Sequence, residues 1–162
     1  MSDNPYEVLQ TLKSQAKTLQ LATLNNKGQP AISYAPFVLD ADGDFYVYVS
    51  ELASHTAELL THGQAAVLLI ADEQDTKQIF ARTRANFDCL ASVVDQGEAA
   101  YEEILDRFEF RFGNVMNVLR TLNDFRLIRL HPISGRFVMG FAQAFELAGP
   151  GMTELTHISR DT

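Results

Sequence analysis

One cysteine, Cys89, is all the thiol chemistry that 162 residues offer. An internal disulfide is excluded and a reducing compartment is expected. Cys89 reads as a small core residue, because a thiolate nucleophile needs a cationic neighbour and Arg84 is weak support for one. Positive charge is scarce too: 13 Lys and Arg stand against 21 Asp and Glu, for a net charge of −8. Nucleic acid and anionic membranes both select basic surfaces, so neither is an expected partner. No apolar run approaches the ~20 residues that span a bilayer. The opening MSDNPYEVLQ has no basic stretch followed by an apolar one, so a secretion signal is not expected and a cytoplasmic location is. The motifs of large enzyme classes are also missing. There is no G-x-S-x-G elbow, no GxGxxG fingerprint and no P-loop. His55 and His62 have no carboxylate or cysteine completing a tetrahedral set at a familiar spacing, so a metal-ion site is not expected from spacing alone.

What is present is material for a core. The hydrophobic fraction is 46%, enough for one folded domain over residues 1–162 with no internal repeat or linker. Asn4-Pro5-Tyr6-Glu7 reads as a helix start, with Asn4 as cap and Pro5 in the first turn, and predicts a helix over about 4–18. LQLATLN, AISYAPFVLD and FYVYVS (45–50) read as three strands joined by the turns NNKGQP and DADGD, an antiparallel meander. A helix over 51–62 follows, ended by Gly63, and then a buried strand over 65–71. Residues 80–94 read as a long strand or hairpin, and 97–121 as an amphipathic helix plus a shorter one. Residues 125–130 and 136–147 read as two last strands with HPISG as the turn between them. A tail runs from about 148 to 162. Short antiparallel strands with outlying helices predict a closed or partly closed barrel.

The residues that can do chemistry fall into two sets. Ser50, Ser54, His55 and Thr56 lie where the third strand turns into a helix, and free backbone N–H groups at a helix start favour anions. Arg82 and Arg84 are two apart, so on a strand both project from one face and could take a phosphate or propionate. A solvated strand face and ordinary helix capping would use the same residues. Of the other histidines, His131 precedes Pro132 in an expected turn, and His62 suits a helix C-terminus.

Three segments carry a resemblance: LATL at 21–24, FYVYVSELASHTAELL, and RFGNVMNVLRTLNDFRLIRLHPISGRFVMGFAQAF. From about residue 5 to 158 the chain resembles the haem-iron-utilization family of the pyridoxamine 5'-phosphate-oxidase-like superfamily. The third segment is the most specific. The resemblance implies a mainly β fold with peripheral helices, a six-stranded antiparallel split barrel that forms a homodimer. It implies haem bound at the dimer interface and a haem-oxygenase-like activity fed by an external electron donor. His55 matches a histidine at the family's strand-to-helix junction. Asp124 matches an acidic residue that orients the axial histidine. The family's axial histidine usually lies in a C-terminal Gly-His tail. This sequence reads THISRDT there, which leaves His157, a few residues early, and His55 as candidate iron ligands. An FMN-binding oxidoreductase is the alternative implication, with Ile32, Ser33 and Tyr34 where relatives carry basic phosphate-binding residues. A non-catalytic binding or sensing barrel is the third.

Overall fold

A computed structural model describes residues 3–159. Helix α1 (Pro5–Gln15) starts as its sequence dictates: the Asn4 side chain accepts a hydrogen bond from the Glu7 amide at 3.2 Å. It ends three residues sooner than its periodicity suggests, because Thr18 already belongs to β1. The remaining elements are β1 (Thr18–Leu24), β2 (Pro30–Leu39), β3 (Phe45–Ser50), α2 (Ser54–His62), β4 (Gln64–Ile70), β5 (Arg84–Val94), α3 (Ala99–Phe112), α4 (Val115–Leu119), β6 (Phe125–Gly140), β7 (Gln143–Ala148) and β8 (Glu154–His157). Gly113, at φ 82° and ψ −149°, adopts a positive-φ extended conformation open to glycine, and this stops α3 before α4 begins.

The strands follow the order β3-β2-β1-β4-β5-β6, and β3 also pairs with β6, so six antiparallel strands close into a barrel. β7 and β8 extend the sheet from β6. Alternation decides what points inward. Leu19, Leu21, Phe37, Val67, Phe87 and Phe137 are all buried, while Ile32 and Tyr34 on the other face of β2 are 82% and 65% exposed. Rings of Phe37, Phe45 and Phe87 meet at 5.5 and 5.2 Å in tilted pairs, each worth roughly 0.5–1.5 kcal/mol beyond area burial. α1 closes one end of the barrel through Leu9 and Leu12, and α2 packs on it through Leu59. A second cluster beneath α3 joins Ile104, Leu105 and Phe108 to Tyr48 and Leu127.

The HPISG segment does not turn. β6 runs unbroken from Phe125 to Gly140 and the turn falls at Phe141 and Ala142. Cys89 pairs with Pro132 and Asp88 with Ser134, so Ile133 is the extra residue of a bulge. A bulge tolerates a proline, which has no N–H to give the ladder. Gly135 serves closeness instead of a turn: a Cβ there would sit 2.9 Å from the Phe87 ring. The bulge divides β6 into two working halves. Residues 125–130 close the barrel against β3, and residues 135–140 carry β7. The expected tail is likewise ordered, since Glu154–His157 forms β8 on β7; residues 160–162 of it lie outside the described residues.

Candidate functional site

The expected site residues separate into two groups. The first gathers at the β3–α2 junction. Ser50 ends β3 opposite Phe125, which brings the neighbouring Asp124 alongside. The Ser50 hydroxyl donates to Asp124 Oδ2 at 2.9 Å, and the Glu51 amide donates to the Asp124 carbonyl at 2.6 Å. Leu52 N–H in turn donates to Ser50 Oγ at 3.1 Å. Asp124 is thereby fixed through one carboxylate oxygen, and among the described residues Oδ1 has no side-chain donor. Thr56 is buried and donates its hydroxyl to the Ser50 carbonyl at 2.5 Å, which commits it to the junction and takes it out of the expected anion-binding set. Ser54 is the first residue of α2 and is exposed.

His55 stands one residue further on, half-buried. Its Nδ1 lies 3.0 Å from Ser33 Oγ. Burial lowers its pKa from the ordinary 6.5, with Glu58 opposing. At neutral pH the ring is therefore neutral and can offer a lone pair. Because the folded value is depressed, the unfolded chain takes the proton first, and stability is lost as pH falls through 6.5 towards the folded value. Ser33 shares the inward face of β2 with Ala35 and Phe37, a parity visible in the sequence. Its pairing with His55 was not, because it depends on where α2 lands.

The second group lies at the far end of β6. Arg84 pairs with Ile70 and Val138. Arg82 is not on a strand: it follows a short 3-10 turn (Ile79–Ala81), its Nε donates to the Ala71 carbonyl at 2.5 Å, and Nη1 lies 3.4 Å from Glu73. The two arginines thus share no strand face, since the chain still turns at Arg82. Arg84 Nη1 donates to the Arg82 carbonyl at 3.0 Å, and no carboxylate pairs with Arg84 among the described residues. His157 is not on a free tail but on β8, opposite Phe145, with Nε2 2.6 Å from the Ala142 carbonyl. His131 and His62 have local duties: Nδ1 of His131 is 2.7 Å from Asp44, and Nε2 of His62 is 3.0 Å from the Asn25 carbonyl.

Twelve residues of β6 separate Phe125, beside Asp124, from Phe137, whose row holds Phe145 and His157. At about 3.3 Å per residue that is roughly 40 Å along the strand. Among the described residues no hydrogen bond joins Asp124 to His157 of the same chain; they serve Ser50 and the Ala142 carbonyl respectively.

Cys89 is buried in the barrel, and burial pushes its thiol up to about 12. It should resist iodoacetamide at pH 8 in the folded protein and react within minutes in denaturant; rapid alkylation of the folded chain would place it elsewhere.

A six-stranded barrel closed by β3 on β6, with a polar junction where β3 meets α2, defines a split-barrel protein. The chain belongs to the pyridoxamine 5'-phosphate oxidase family, which it matches over residues 6–139, and within it to the haem-utilization branch. It is 37% identical over 150 residues to the haem oxygenase HutZ of Vibrio cholerae, covering 93% of this chain and 85% of that protein. The crystal structure of HutZ, described as the haem storage protein of Vibrio cholerae, superposes with a TM-score of 0.75 at 36% identity, covering 80% of this chain and 91% of that one. The crystal structure of Campylobacter jejuni ChuZ gives a TM-score of 0.84 at 30% identity, covering 98% of this chain and 65% of that one.

Proposed function

We propose that this protein binds haem for haem-iron utilization and opens the porphyrin oxidatively, as a homodimer that draws electrons from an external donor. The observation that carries this reading is the division of the site residues between the two ends of β6. One chain holds an oriented carboxylate and a neutral imidazole at one end, and a histidine with an unpaired arginine at the other. A second copy running the opposite way supplies what each end lacks. The outer face of β2, β1 and β4 supports such a partner. Ile32, Ala22 and Ala66 form one cross-strand row there, and Tyr34, Gln20 and Leu68 the next. Exposed apolar sheet surface of this kind is what dimer interfaces cover.

The residues present suit haem. A ligating imidazole needs its second nitrogen held, and the Asp124 carboxylate, anchored by Ser50, is available for that. A propionate needs an uncommitted guanidinium, and Arg84 is one. His55, or His157 from a second copy, would supply the iron ligand. Bound iron would supply oxygen activation; the chain's own residues hold the ligand, set its tautomer and exclude water around it. A lone cysteine in 162 residues suits a cytoplasmic location; among the described residues no helix is long and apolar enough to cross a membrane.

FMN is the second reading, and the family match favours it. Arg84 could hold its phosphate, but the outward positions of β2 are Ile32 and Tyr34.

Haem titration of the purified dimer separates these readings. Haem is expected to give a 1:1 Soret complex, and FMN no retained yellow chromophore; the reverse overturns the haem assignment. His55→Ala and His157→Ala, titrated singly, identify the ligand by loss of the Soret shift. Arg84→Ala should weaken haem binding by about tenfold or more, the loss of one charge-assisted bond of roughly 1.5–3 kcal/mol. Arg82→Ala, whose guanidinium already serves Ala71 and Glu73, should leave it unchanged. Sedimentation at tens of micromolar should show a dimer.

A further inference from the structure

Two cations, Lys13 and Arg111, have no counter-ion among the described residues of a strongly acidic chain. Lys13 on α1 is 6% exposed. Its ammonium donates to the Gly151 carbonyl at 3.1 Å and lies 5.5 Å from the centre of the Phe87 ring. An ammonium has three N–H groups, and among the described residues only this one acceptor takes any of them. Arg111 on α3 donates Nη2 to the Ala16 and Ser14 carbonyls, lies over the Phe37 ring, and leaves its Nε buried with no partner at all. Neither residue pairs with any carboxylate of the described residues.

Both line a cleft of about 760 Å³ between α1 and α3, floored by Phe37 and Val38. That is within the roughly 300–1,000 Å³ of small-molecule sites. Phe110, also lining it, is 96% exposed, an aromatic ring with nothing over it. The cleft's own acids are already occupied: Glu103 lies 3.6 Å from Arg107 and Asp106 2.9 Å from Arg120. The unmet charge is therefore positive, although the molecule as a whole is negative. Burial also lowers the Lys13 pKa, a penalty that a bound anion would relieve.

We propose that the cleft between α1 and α3 binds a small organic carboxylate on a flat apolar body, the anion received by Lys13 and Arg111 and the body by the exposed ring of Phe110. The site is separate from the haem-type residues, which lie at the β3–α2 junction, on α2, at the start of β5 and on β8, so it stands whether or not haem binds.

The test compares 4-phenylbutyrate with 4-phenyl-1-butanol, the same body without the charge, by amide chemical shifts of the full chain. The acid should titrate residues 10–14 and 103–111 saturably at 1:1, and the alcohol should bind at least about tenfold more weakly, the loss of charge-assisted bonds. Lys13→Met should reduce acid binding to the level of the alcohol. Because Lys13 is buried and that variant could fail to fold, Phe110→Asp is the second probe. An exposed position tolerates the change, and the added negative charge should abolish acid binding. Equal affinity for acid and alcohol, no saturation, or binding unaltered in Phe110→Asp overturns the proposal.

Discussion

Asp124→Asn should lower haem affinity by about 10- to 100-fold while leaving the fold intact. The substitution keeps the shape of the side chain, and its amide oxygen can still accept the hydroxyl hydrogen of Ser50, now 2.9 Å from Oδ2. What it removes is the negative charge that, in the proposed site, would face a ligand imidazole. A carboxylate that accepts the second ring N–H raises the basicity of the ligating nitrogen; an amide does so poorly. The loss corresponds to roughly 1.4–2.7 kcal/mol. A spectroscopic signature accompanies it: the iron–histidine stretching frequency of the ferrous complex should fall, because a less basic imidazole bonds the iron more weakly. Ser50→Ala should show a smaller effect of the same sign, since it frees the carboxylate to rotate without discharging it. Wild-type haem affinity and stretching frequency in Asp124→Asn would end the role assigned to this carboxylate, and Ser50→Ala then serves as the check that the junction itself still folds.

Much of this architecture was legible because it is local. The Asn4 cap, the DADGD turn and the strand FYVYVS depend on residues near one another in sequence, and all appear as expected, the strand buried on both faces. The HPISG segment was misread because its proline and glycine answer to distant partners. Pro132 sits at a bulge set by Cys89, over forty residues earlier, and Gly135 yields room to the Phe87 ring. Turn chemistry and close packing call for the same two residue types, and only tertiary contacts separate them. The site shows the same limit. Ser50, Asp124 and His55 could be grouped by resemblance, but the hydroxyl–carboxylate bond between Ser50 and Asp124 spans 74 positions and no periodicity reveals it. The alternation argument for Arg82 and Arg84 assumes a strand from residue 80, but β5 begins four residues later at Arg84, so a correct rule met the wrong backbone. Lys13 was hidden for a related reason. Its place on the helix is one turn after Leu9, on the apolar stripe, yet a lysine is read as solvated unless the barrel mouth it enters is already known.

Phe87→Ala should cost about 3–5 kcal/mol, the range for deleting a buried aromatic ring. It is the substitution expected to harm stability most. Phe87 has no exposed surface and occupies the point where the barrel's separate parts meet. Its ring contacts Phe45 on β3 at 5.2 Å, lies under the Lys13 ammonium of α1 at 5.5 Å, and fills the space that Gly135 leaves open on β6. Removing it therefore opens a cavity that no single element can close. β6 cannot collapse inward without disturbing its pairing with β3, and α1 cannot sink without drawing a charged amine into an apolar hole. Domains of this size have a total stability of roughly 5–15 kcal/mol, so the variant should lose a fifth or more of it. The chemical-denaturation midpoint should fall with the m-value unchanged. Gly135→Ala tests the same geometry from the opposite side: its new Cβ would meet the Phe87 ring at 2.9 Å. It should destabilise by overpacking, by roughly 1–3 kcal/mol. The combination Phe87→Leu with Gly135→Ala should then recover part of that loss, because the smaller side chain makes room for the methyl group. Strict additivity of the two changes would mean that Gly135 is required by its backbone conformation and not by the ring beside it.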